Sequence, residues 1–151
     1  MKRILLIITL LITSFIELKA QNYEYKVITS VESIVPMGVG RSRIISSDEE
    51  RDYQNFTSLR TAENKKQNKS KRSDAKIDQF EETKLVNFYS VAGINFKNIA
   101  SNDALIGSKI NSMVNEGWDL AFVTSGVESD SGKGDGKGIF ITRYIFKRLK
   151  Q

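Results

Sequence analysis

Apolar and polar positions alternate at the two ends of the chain, and a helical spacing occurs once between them. Asn22 to Val35 opens with YEYKV, where Tyr23, Tyr25 and Val27 alternate with Glu24, Lys26 and Ile28, the period of a half-buried strand. Pro36, Gly38 and Gly40 then punctuate a turn before the apolar pair Ile44 and Ile45, which predicts a hairpin. Near the other end, Asp119 to Val127 and Ile139 to Arg148 alternate again. The second of these is apolar on both faces, as in a strand inside a sheet or one whose second face meets a partner or the returning insertion. The helical stretch lies just ahead of them. Ile106, Ile110, Met113 and Val114 fall at i, i+4, i+7 and i+8, with Ser101 or Asn102 as cap, Asp103 in the first turn and an end at Glu116. Gly107 inside it costs about 1 kcal/mol relative to alanine.

Between the ends the pattern thins. Ser47 to Leu59 begins with residues suited to a helix start but has only Tyr53, Phe56 and Leu59 in period, so a short helix and a loop both remain open. Thr61 to Lys76 has only Ala62 and Ala75 as apolar residues, and ordering each residue costs about 1 to 2 kcal/mol. A mobile linker is expected there. A further strand is expected near Leu85 to Val91, and Glu128 to Gly138 reads as a flexible hairpin loop.

The corner NEGWDL, Asn115 to Leu120, joins helix to strand. Gly117 supplies the left-handed backbone that ends a helix, and Trp118, the chain's single tryptophan, is expected to plug the core beside it. Together with Tyr25 and Ile110 they are the expected structural anchors. The expected fold is α+β: one main helix on a small antiparallel sheet of four or five strands, with a long disordered basic insertion.

Composition adds an address. The first residues fit an export signal over residues 1–20: Lys2 and Arg3, an apolar run from Ile4 to Ile16, and an end at Ala20. Residues 21–151 are then a single domain interrupted by the linker 61–76, exported to the periplasm or beyond, with no later stretch apolar enough to span a bilayer. The net charge of +5 loses three cations and one anion with Lys2, Arg3, Lys19 and Glu17, which leaves +3. The linker alone carries +4, where Lys65, Lys66, Lys69, Lys71, Arg72 and Lys76 face only Glu63 and Asp74, and the rest of the exported chain is near −1.

The chain has no cysteine and no histidine, which removes disulfides, thiol catalysis, histidine triads and the commonest metal ligand. No catalytic residue, cofactor or metal is expected. An enzyme without histidine or cysteine is the lesser alternative, and it would have to rest on Lys and Tyr or on carboxylate pairs such as Glu116 with Asp119, or Asp48 with Glu50, which are of a kind any soluble protein carries. The glycine-rich loop lacks the P-loop glycine, because Ser131 stands where it is needed, and it offers Glu128, Asp130 and Asp135 at most as weak cation ligands. Lys65, Lys66, Lys69, Lys71 and Arg72 are candidates for weak polyanion contact, without interleaved aromatics for base stacking.

Three segments taken in order, YEYKV at Tyr23 to Val27, NEGWDL at Asn115 to Leu120 and YIFKR at Tyr144 to Arg148, resemble the small bacterial domain of unknown function 4177. The resemblance covers about a third of the exported chain. It departs from the family between Ser30 and Ile99, where a long insertion stands, and at the glycine loop. It implies the compact α+β unit already expected, in an exported relative of Bacteroidetes type, and it carries no catalytic residue. The reading that follows is a non-enzymatic binding or structural module of the cell envelope, its partner another envelope protein or a second copy. Apolar surface at Tyr89 and Phe96, or a strand edge, would make the contact.

Overall fold

The computed structural model describes residues 22–35, 41–129 and 138–150. The export signal, the Pro36 to Gly40 turn, and Asp130 and Asp135 lie outside the described residues.

Among the described residues, seven strands and one α-helix follow in the order β1 (Tyr23–Ser33), β2 (Arg43–Ser46), β3 (Glu81–Lys84), β4 (Tyr89–Ser90), β5 (Gly93–Ile94), α1 (Phe96–Asn115), β6 (Asp119–Glu128) and β7 (Ile139–Leu149). Five of the strands make one sheet in the order β3-β2-β1-β7-β6, while β4 and β5 form a separate two-stranded ribbon. Every pairing is antiparallel. The fold is α+β, with the helix packed on one face of the sheet.

Alternation fixes which side chains meet the helix. Ile28 of β1 stands opposite Tyr144, and Lys26 opposite Phe146, so these share the helix-bearing face with Ile44 of β2. From α1, Met113 enters the core, with Ile106 and Ile110 packed against it, three positions of one helical stripe. Leu85 and Trp118 complete the cluster, and Phe146 at its centre is fully buried.

The helix begins earlier than its apolar period predicts. Asn95 is the N-cap, its side-chain oxygen accepting from the Asn98 N–H at 3.2 Å, so the helix starts before the expected Ser101 or Asn102. Asn102 lies fully buried within it and does other work. Its Oδ1 accepts from the Val86 N–H and its Nδ2 donates to the Val86 carbonyl, both at 2.8 Å, while Nδ2 also donates to Glu32 at 2.8 Å. A side-chain amide thus stands in for a neighbouring strand along Val86. This accounts for the strand expected over Leu85 to Val91, which is displaced to β3 and the short β4: between them Val86 is satisfied by Asn102, the Leu85 N–H donates to the Ser42 carbonyl, and the Asn87 and Phe88 carbonyls accept from the Asn98 side chain and the Asn95 N–H, instead of a ladder.

At its other end α1 closes as the glycine predicts. Gly117 has φ +86, its N–H donates to the Val114 carbonyl, and the Trp118 N–H reaches back to Met113 at 3.0 Å, the paired bonds of a Schellman motif. Trp118 emerges 6 % exposed. Tyr25, expected as an anchor, is 63 % exposed: it sits on the odd-numbered side of β1, which faces away from the helix.

Ser47 to Leu59 holds no α-helix, only a 3-10 turn at Tyr53–Phe56, because three widely spaced apolar residues provide no face to bury. Residues 61–76 form exposed irregular chain with one more 3-10 turn at Arg72–Ala75, and local hydrogen bonds such as Asn68 to the Asn55 carbonyl tie it together.

Candidate functional site

The helix covers only part of the sheet. Core residues come from β1, β2 and β7, and all ten residues of β6 are exposed. On the helix-bearing side β6 presents Leu120, Val123, Ser125 and Val127, and on the open side Phe122, Thr124, Gly126 and Glu128. A bulge at Ala121, where the register skips from Leu120 to Phe122, switches the alternation. Phe122 and Val127 are each 61 % exposed. Because β6 pairs only with β7 among the described residues, no described strand occupies its outer row of backbone N–H and C=O groups, which is the row another strand would use.

The open face continues inward from this edge. Tyr25 and Val27 of β1 and Leu149 of β7 are exposed on it, with Ile141 and Ile145 half-buried between them. Arg143 stands opposite Thr124 on the same face and is exposed.

A polar cleft of about 770 Å³ lies where the start of β1 and the end of β7 meet the chain after β2. At its floor the Arg148 guanidinium sits 4.2 Å from the Trp118 ring centre and donates through Nε to Glu24 at 2.5 Å. Its wall is Asp48, ion-paired with Lys26. The hydrogen bond and charge of Lys26 hold the Asp48 carboxyl below its ordinary range. Glu49 is lowered by the Gln79 backbone N–H and Glu81 by the Lys109 ammonium. These shifts favour the ionised form of all three carboxylates. Sequence reasoning missed the cleft, because Glu24, Asp48, Trp118 and Arg148 are brought together only by strand register.

The other sequence candidates are scattered. Lys65, Lys66, Lys69, Lys71 and Arg72 are all exposed, and none of them is in an ion pair among the described residues. Phe96 is 75 % exposed at the start of α1, whereas Tyr89 is half-buried with its ring 5.9 Å from that of Phe88. Glu116 accepts from the Ser112 hydroxyl and Asp48 is engaged by Lys26, so neither is held against its acidic neighbour in sequence. Among the described residues no group of three or more potential ligands is placed to hold a metal ion, and no helix is long and apolar enough to cross a membrane.

No family model matches the chain, and neither the curated proteins nor the solved structures contain a match.

Proposed function

We propose that this chain is an exported, non-enzymatic binding or structural module of the cell envelope, which acts through the free edge of β6. One observation carries the reading: a ten-residue strand ends the sheet with every residue exposed, apolar side chains on both faces, and no proline, lysine or arginine in it. Natural sheets blunt such edges with those residues or cover them, so an edge left this long and this apolar is suited to receiving a strand. Kinship with the domain of unknown function 4177 is part of the proposal. In its support, the three shared segments fall on β1, the α1 to β6 corner and β7, which are contiguous in the fold.

Two experiments test this. The envelope fraction should contain a chain beginning at Gln21, and a full-length chain confined to the cytoplasm contradicts export. Immobilised protein should retain an envelope component that Val123→Lys, a charge set into the β6 edge, does not retain. Identical capture by both proteins rules out the edge.

The exposed cations of the linker favour a second reading, weak polyanion contact. Deleting residues 61–76 should then shift heparin elution to lower salt, and unchanged retention excludes it.

A further inference from the structure

We infer that the strand received by β6 is the β6 of a second copy, paired antiparallel about a two-fold axis at Ser125, so that two five-stranded sheets become one. The inference rests on reading β6 as the contact edge and names its occupant.

The opposite edge of the same sheet does not invite a partner. β3 has four residues, three of them charged, and its acids are occupied: Glu81 by Lys109 at 2.9 Å and Glu82 by Arg43 at 2.7 Å. β6 carries charge only at its ends, Asp119 and Glu128. Its interior is self-complementary in one register. In an antiparallel pair, residues directly opposite share a face. An axis through Ser125 sets Val123 against Val127 of the second copy, Thr124 against Gly126 and Phe122 against Glu128.

The flanking strand extends the match. Within one copy Tyr144 stands opposite Val123 and Phe140 opposite Val127, all on the helix-bearing face. Across the junction the row therefore reads Tyr144, Val123, Val127, Phe140, the last two from the second copy, and the two-fold repeats it. Two apolar rows cross a seam that in a single copy leaves Val123 45 % and Val127 61 % exposed.

Charge agrees on the open face. Arg143 and Glu128 are exposed there and neither is in an ion pair among the described residues. In the paired sheet, Arg143 of one copy reaches toward Glu128 of the other over Thr124 and Gly126, two of the smallest side chains on the strand. Strand spacing and rise place their Cα atoms roughly 12 Å apart, a span that the two extended side chains cover together. An axis one residue earlier, at Thr124, would set Val123 against Ser125 and break both rows.

Cysteine placement tests the register, since the chain has none of its own. On the axis, Ser125→Cys meets its own copy with Cα atoms about 4.5 to 5.5 Å apart, inside the disulfide range. Thr124→Cys meets its copy only diagonally, at roughly 8 Å, outside that range. The purified wild-type protein should scatter light as a dimer. Under mild oxidation Ser125→Cys should cross-link almost completely and Thr124→Cys at less than a tenth of that yield. Reduced Ser125→Cys should keep the wild-type melting curve, which separates failed pairing from failed folding. A wild-type monomer at every concentration, or a dimer in which Ser125→Cys cross-links no better than Thr124→Cys, overturns this pairing. Either outcome leaves the wider reading of the β6 edge to its own capture test with Val123→Lys.

Discussion

At one end of the sheet, β3 runs for four residues, its carboxylates held by Lys109 and Arg43, and the neighbouring β2 buries Ile44 under the helix. At the other, β6 runs for ten residues with none buried, although it follows directly from Trp118, a buried member of the core cluster. The same chain therefore moves in one step from a sealed corner to an open edge. The buried core and the exposed edge lie on different strands. The helix holds β2, β1 and β7 together through Ile44, Ile28 and Phe146, and β6 adds no buried side chain to that core, although it pairs with β7 along its length.

If that division is right, substitutions on the two sides must differ in kind. The largest effect belongs to the sealed corner: Trp118→Ala should lower folding stability by about 3 to 5 kcal/mol, measured by chemical denaturation, because it opens a cavity and strips the Arg148 guanidinium of its aromatic support. A near-wild-type curve would place the core elsewhere. Next comes Asn102→Ala. It deprives Val86 of both backbone partners and Glu32 of a donor, and leaving buried polar groups unmatched should cost roughly 2 to 4 kcal/mol. Unchanged stability there would show that the Leu85 to Phe88 segment is solvated.

Acid sharpens the comparison further. Asp48 and Glu81 are lowered below ordinary values of 3.8 and 4.5 by Lys26 and Lys109, so they bind protons more weakly folded than unfolded. The stability they contribute is present above those values and is lost as pH falls below them. Both groups are largely exposed, so the loss is small. It should shrink in a Lys26→Met, Lys109→Met double variant, where Glu49 with its Gln79 hydrogen bond and Glu81 with its Ser46 hydrogen bond still contribute, and an acid limb of unchanged slope in that protein would locate the titrating groups elsewhere. The smallest effect belongs to the open edge. Phe122→Ala, compared with wild type in dilute solution, should alter stability by less than about 0.5 kcal/mol despite removing an aromatic ring. A loss comparable to that of Trp118→Ala would mean that β6 is part of the core.

Much of the sealed half was legible in the chain. Gly117 and Trp118 announce their corner because a left-handed glycine before a lone tryptophan has few other uses, and the stripe Ile106, Ile110, Met113 marks the buried side of α1. Asn95 and Asn102 were not legible in their roles. An asparagine near a helix start looks like a cap, and only tertiary contact shows that Asn102 spends its amide on Val86 and Glu32. Tyr25 misled for a related reason. Alternation shows that β1 has two faces, but the sequence does not state which one the helix will cover, and both carry apolar residues. The cleft around Arg148 depends on pairing Glu24 with a residue at the far end of the chain, which periodicity cannot reveal. The open state of β6 was equally hidden, since an apolar strand after a buried tryptophan reads as interior until the sheet order places it last.

Amide hydrogen exchange along β6, followed as a function of protein concentration, addresses the division most directly. In dilute solution alternate amides between Asp119 and Glu128, those pointing away from β7, should exchange rapidly while their neighbours are protected. As concentration rises these fast amides should become protected, with no change at β1 or at Met113 to Trp118. Uniform protection of β6 at all concentrations, or outward amides that stay fast however concentrated the protein, would contradict an edge held open for a second copy.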